Sequence, residues 1–260
     1  MSARTPVSRR DALRAGVAAG VVAAGSIAAP GALHAAADMQ GTQVPGYYRF
    51  KLGDFEITTL NDGALAIPKV HPIFGKNQKI EEVQAYLTEN NLPTDKMKIS
   101  FSPVIVNTGN EVVLFDSGYG EERREKGAGQ AAAALKAAGF SPDQIDVIVL
   151  THCHPDHVSG MMEDGKATFP NARYVAGDVE YNFWSKKEHL ESSDDNMKRR
   201  AKAVHDNFVP MAEKATFIKA GGDVVPGITS VGSFGHTPGH LCYHIESAGK
   251  RLLIFRDATN

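Results

Sequence analysis

The sequence is short of the residues that mark several kinds of protein. Two cysteines in 260 residues are too few for a disulfide framework. Tryptophan occurs once. Neither sign of charge dominates: 28 Lys+Arg face 30 Asp+Glu, for a net charge of −2. No basic block interrupts the body of the chain, so nucleic acid is not an expected partner. Neither G-x-G-x-x-G nor G-x-x-x-x-G-K-[ST] occurs, so the phosphate-cradling loops of nucleotide folds have no counterpart. No G-x-S-x-G occurs either, and Ser117 reads as part of an Asp-Ser-Gly turn rather than a nucleophile. What remains is ordinary globular composition, 42% hydrophobic and 22% charged, which excludes a largely disordered chain. Ten histidines stand out against it.

The first 37 residues read as an address. Arg4, Arg9, Arg10 and Arg14 precede an uncharged Ala/Val/Gly stretch from Ala15 to Ala29. Ala35-Ala36-Ala37 then fits an A-x-A cleavage site before Asp38. Arg9-Arg10 after Ser8, with Leu13 behind, resembles a twin-arginine signal. An ordinary secretory signal or an uncleaved anchor is the plainer reading. The stretch is too small-residued and short for a stable spanning helix. An exported, periplasmic protein without a membrane anchor is expected.

Beyond it, apolar/polar alternation on both sides of Gly53-Asp54 in residues 47–63 predicts a hairpin. Residues 103–118 predict a second one, turning at Thr108-Gly109-Asn110. The Ala-rich run 130–140 predicts a helix stopped at Gly139, and 141–144 has the shape of a capping box. The apolar, β-branched run 145–152 predicts a strand buried on both faces. Strands follow at 173–177, 228–236, 241–247 and 251–255, with helices at 178–185 and about 195–213. Hairpins first, then strands alternating with helices, imply a layered mixed α/β (α+β) domain.

The densest chemistry lies in THCHPDHVSG, 151–160, which supplies His152, His154, Asp156 and His157 just after a buried strand. Imidazole nitrogens and carboxylate oxygens are donors that zinc and similar ions take, and a loop at a strand end lets them converge. GHTPGH, 235–240, places His236 in a Gly/Pro turn between strands. Asp257 follows the strand 251–255. Asp116 also ends a strand, where it either orients a ligand histidine by hydrogen bond or is a plain turn residue. His240 and His244 read as packing or outer partners of the ligands, and His71, His189 and His205 as surface residues.

FDSG, THCHPDH, GHTPGH and a strand ending in Asp together resemble the metallo-β-lactamase superfamily. The segments 45–63, 135–146, 169–174 and 225–240 resemble its methyl parathion hydrolase-like branch, with the related lactonases. The resemblance covers about Pro45 to Asp257. It implies a four-layer αββα sandwich and an exported hydrolase of esters, lactones or phosphotriesters. It also implies two divalent ions, zinc foremost. His152, His154 and His236 would hold one, Asp156 and His157 the second, and Asp257 would bridge them. A hydroxide between the ions would attack, with Asp156 counted among the catalytic groups. Trp184 matches the branch's pocket aromatic, though a lone Trp is equally a core residue. The small-molecule substrate would be the partner, and relatives imply a homodimer.

Three features depart from that pattern. The family's last metal histidine has no counterpart after Asp257, so the second site lacks a ligand here and the domain, 38–260, reads as missing its C-terminal part. Arg256 stands where the family has Gly before the bridging Asp. Residues 119–129 are strongly charged where relatives carry apolar residues. A glyoxalase II-like thioesterase, a mononuclear iron dioxygenase of the same fold, and a truncated metal-binding module therefore remain as alternatives.

Overall fold

The computed structural model describes residues 46–259, so the signal segment expected over 1–37 lies outside the described residues. Two hairpins open it. Strands β1 (Tyr47–Leu52) and β2 (Phe55–Leu60) pair antiparallel across Gly53-Asp54. Gly53 takes φ +60°, and a Cβ there would collide with the Ser247 backbone, so only glycine makes this turn. Strands β3 (Val104–Asn107) and β4 (Val112–Phe115) form the second hairpin. Parallel strands β5 (Val147–Val149), β6 (Arg173–Gly177) and β7 (Ala215–Ile218) then extend the sheet from β4. The result is a seven-stranded sheet whose spatial order is the chain order.

Alternation within these strands separates two cores. Ile105, Leu114, Ile148 and Tyr174 pack on one face with Ala134 and Leu135 of helix α2 (Ala131–Ala137) and Ala203 and Val204 of helix α5 (Asp195–Asn207). Val106, Val113, Val147, Val149 and Val175 face the other way. There they meet Ile228, Tyr243, Ile245 and Ile254 of a second sheet. That sheet is an antiparallel run of β8 (Asp223–Val225), β9 (Ile228–Gly232), β10 (Leu241–Ser247) and β11 (Lys250–Ile254). Two facing sheets with helices outside the larger one give the mixed α/β sandwich. Among the described residues, no helix is long and apolar enough to cross a membrane.

Some boundaries differ from the sequence-based expectation. The strand expected over 145–152 keeps only Val147–Val149, because after the Leu150 N–H bonds to the Val175 carbonyl the chain leaves the ladder toward the histidine loop. The expected strand 228–236 ends at Gly232. The helix expected over about 195–213 ends at Asn207, and Val209–Lys214 tightens into a 3₁₀ helix with Pro210 in its first turn. Helix α1 (Ile80–Glu89) and a small ribbon of Ala64–Ile67 with Met97–Ser100 carried no clear pattern.

Candidate metal centre

The site gathers where strand ends of both sheets meet. The larger sheet contributes the carboxyl ends of β4 and β5, the usual ligand edge of parallel strands. After β5 the chain runs through His152 to His154, and Pro155 opens the short helix α3 (Pro155–Val158). Proline at the first helical position costs no needed N–H and is already shaped for the turn. Helix α3 then carries Asp156 and His157. The smaller sheet contributes His236 from the β9–β10 connection and Asp257 after β11.

Three imidazoles converge. His154 Nδ1 lies 3.1 Å from His152 Nε2 and 3.0 Å from His236 Nε2. The three ligand atoms form one candidate metal group. A second group joins His152, His157 and Asp257. Asp257 Oδ2 lies 3.5 Å from His152 Nε2 and 3.4 Å from both His157 Nε2 and His236 Nε2. One carboxylate oxygen thus stands between the two clusters, where a bridging ligand belongs. Asp156 Oδ2 is 3.0 Å from His157 Nε2.

The donor set suits divalent cations. Nitrogens about 3.3 Å apart are what tetrahedral ligands at zinc–nitrogen bond length produce. Each neutral ring has only one N–H, so three clustered rings cannot satisfy one another, whereas a shared cation meets all three lone pairs. His154 Nε2 is buried with no partner, which leaves Nδ1 as the useful donor. Protonation states agree. Burial, then the neighbouring His157, holds His152 far below the ordinary histidine range. Burial, then Arg200, pulls His154 down to about 2. His236 is lowered, first by burial. These rings are in the neutral form that metals bind.

His157 behaves oppositely. Burial disfavours its charge, but Asp156 and Asp116 prevail and raise its pKa. Asp156 in turn is drawn down to about 2, with His157 overcoming the penalty of burial. Asp116 stands behind His157, its Oδ2 2.9 Å from Nδ1. Its Oδ1 accepts the Thr151 N–H at 2.9 Å. That geometry fixes the ring so that Nε2 faces the clusters.

Arg256 resolves the charge conflict raised by its position. It takes φ +47°, the left-handed region that favours glycine. Its side chain reaches Asp116, the carboxylate behind His157. Nε pairs with Asp116 Oδ2 at 2.9 Å, and the guanidinium donates to the Phe115 and Ser102 carbonyls.

Trp184 is where the structure departs from the expected pocket wall. It is 2% exposed and packs in the core beneath the site, its ring 5.7 Å from His154's. Its indole N–H donates to Glu180 Oε1 at 2.8 Å, a buried polar requirement that fixes the ring inward. His240 is wholly buried beside His152, ring centroids 4.9 Å apart, and its Nδ1 meets Ser233 Oγ at 2.6 Å. Burial, then His236, lowers it to about 4. Cys153 and Cys242 are both free and buried.

Two buried carboxylates escaped the sequence reading. Asp62 accepts the N–H groups of Tyr119 at 2.9 Å and Ala131 at 2.6 Å, tying the post-β4 loop to helix α2. Its only signal was a place in an Asn-Asp-Gly turn after β2. Glu180, on helix α4 (Asp178–Trp184), had no signal among the aromatic and polar residues of that helix. Burial raises its pKa against the pull of four hydrogen bonds.

Residues 100–258 match the family model described as the metallo-beta-lactamase superfamily. No curated protein sequence matches the chain. Among solved structures, the hydrolase AbOPH of the beta lactamase superfamily is 30% identical, with TM-score 0.72 over 82% of this chain and 74% of its own. AidC, a dizinc quorum-quenching lactonase solved with an N-acyl-homoserine product, is 25% identical, with TM-score 0.68 over 80% and 73%. A probable metal-dependent hydrolase from Staphylococcus aureus shares the fold at 24% identity, TM-score 0.64, over 78% and 73%.

Proposed function

This chain belongs to the metallo-beta-lactamase superfamily, as a metal-dependent hydrolase, and from that premise we propose that it opens esters, lactones or phosphotriesters at a two-metal centre. The observation that carries the reading is Asp257 Oδ2 standing 3.4–3.5 Å from His152, His157 and His236, between two ligand groups. His152, His154 and His236 would hold one ion; Asp156 and His157 the other; Asp257 both. Ions so held supply Lewis acidity and a water acidified to a pKa of roughly 7. The protein's own residues do the rest. Asp116 orients His157, and buried neutral imidazoles keep their lone pairs available. Asp156, with its pKa near 2, stays ionised through the working pH range. The likeness to the lactonase AidC and to the hydrolase AbOPH supports a lactone first among these substrates.

The test measures metal content and hydrolysis of a lactone, aryl ester, phosphotriester and thioester panel on one sample, alongside His154→Ala. The wild type should carry about two ions and the variant should lose both metal and hydrolysis. Retained metal and turnover in the variant sink the reading. One ion per chain with oxygen consumption would instead favour the mononuclear dioxygenase, which the complete three-histidine group keeps open.

Export belongs to the same proposal and rests on Arg9-Arg10, the uncharged stretch and Ala35-Ala36-Ala37. A periplasmic fraction should hold protein beginning at Asp38; cytoplasmic retention of the uncut chain overturns it.

A further inference from the structure

The two loops that bring His152, His154 and His236 together belong to different sheets. Something must set the distance between them, because a ligand group misplaced by 1 Å binds metal poorly. One backbone bond, from Leu241 N–H to Thr151 O at 2.9 Å, joins the loops just outside the ligands. Among the described residues, one side chain outside the two candidate metal groups also joins them between the histidines. Glu180 is 1% exposed. Its Oε1 accepts the N–H of Cys153, the residue between His152 and His154, at 2.8 Å. The same oxygen accepts the Trp184 indole N–H at 2.8 Å. Its Oε2 accepts the hydroxyl of Thr237, next to His236, at 2.7 Å, and the N–H of Gly239 at 2.9 Å.

These four bonds fill the acceptor capacity of a carboxylate. They also replace the water that burial removed, without any cation. Gly239 completes the fit. A Cβ at that position would land on the Glu180 backbone, so glycine alone lets the turn approach. Neither Glu180 nor any of its four donors belongs to either candidate metal group. Its effect must pass through backbone position.

We propose that Glu180 is a positioning residue: its carboxylate clamps the 152–154 segment to the 236–239 turn and sets the spacing at which His152, His154 and His236 share one ion. The proposal rests on the metal-hydrolase reading, and goes beyond it in assigning the spacing to one residue on a third element. Trp184 belongs to the clamp and, as the chain's single tryptophan, reports on it optically.

The test uses the full-length protein, stripped of metal and titrated with zinc and with cobalt. Glu180→Gln is the informative variant. An amide offers one oxygen to four donors and turns its NH₂ toward two of them. Zinc affinity should fall on the order of 10–100-fold, the range seen when partners behind metal ligands are removed. The cobalt visible spectrum should change, Trp184 emission should shift, and saturating metal should recover part of the turnover. Glu180→Asp should fall between. Equal affinity and an identical cobalt spectrum, with only a lower melting temperature, would overturn the proposal and leave Glu180 a packing residue. If Glu180→Gln does not fold, Thr237→Val removes one donor in a similar shape. It should weaken zinc several-fold, and an unchanged affinity overturns the proposal equally. A wild type that binds no metal would sink the hydrolase reading itself, a failure visible in the same titration before any variant is compared.

Discussion

Arg256 shows how one residue can break a family pattern and keep the site. The resemblance expects glycine there, and φ +47° explains why. Arginine pays a backbone cost of about 1 kcal/mol for that conformation. In return its guanidinium reaches Asp116, which is 2% exposed. Removing one partner of a buried ion pair costs roughly 3–5 kcal/mol. Asp116 retains Thr151 and His157, which places the loss at the low end. Arg256→Gly should therefore destabilise the metal-free protein by about 2 kcal/mol, read as a lower urea midpoint; an unchanged midpoint would show that the pair contributes no more than the roughly 1 kcal/mol of backbone strain it offsets. The histidines of THCHPDH and GHTPGH were legible because ligand spacing is local. Glu180 was not, since a lone glutamate in a short helix looks like a solvated one until helix α4 is placed against both loops. Trp184 carried no sign of which way its ring turns.

At the scale of elements, helix α5 is the support behind the ligand helix. Ala201, Ala203 and Val204 are buried, while its Lys and Arg residues lie on more open faces. Its N-terminus is capped by Asp194, whose Oδ1 accepts the N–H of Asn196 at 2.8 Å and of Met197 at 3.3 Å. Asp194→Ala should cost about 1 kcal/mol of stability, measured by denaturant unfolding, with the metal ratio unchanged. A loss of metal instead would mean that the cap holds the site. Strand existence was readable wherever alternation or a β-branched run was strong, as in the two hairpins and 173–177. Boundaries at the site were not. Thr151 has a strand-like side chain, yet the chain leaves the ladder there because Thr151 bonds to Asp116 and His152 turns to the cluster.

For the whole molecule, the histidine cluster should make metal-free stability depend on pH. His152, His154, His236 and His240 all have folded pKa values below the ordinary 6.5. The unfolded chain then binds more protons below pH 6.5, so these groups lose stability on acidification. The window extends toward about 4 for His240 and about 2 for His154. Each fully engaged group contributes roughly 1.4 kcal/mol per pH unit. His157 runs the other way: raised above 6.5, its contribution is complete below pH 6.5 and is lost as pH rises through its folded pKa. Four groups against one decide the sign. The urea midpoint of metal-free protein should fall steeply from pH 6.5 to 5, and zinc should raise it most at the upper end, where protons compete least. A flat profile would show that the rings are not neutral in the fold.

The sequence by itself determined the family, the mixed layered fold and the identity of the clustered histidines. Those follow from alternation, turn residues and donor spacing, all carried by neighbours along the chain. Only the tertiary structure decided how near Asp257 stands to His152, His157 and His236, that Arg256 turns inward to Asp116, and that Trp184 is sealed beneath the site. It also decided that Glu180 joins two loops of different sheets. Each is a contact between residues tens to more than a hundred positions apart. Such contacts are set when two sheets close on a shared core, and no local pattern records which side chains then meet.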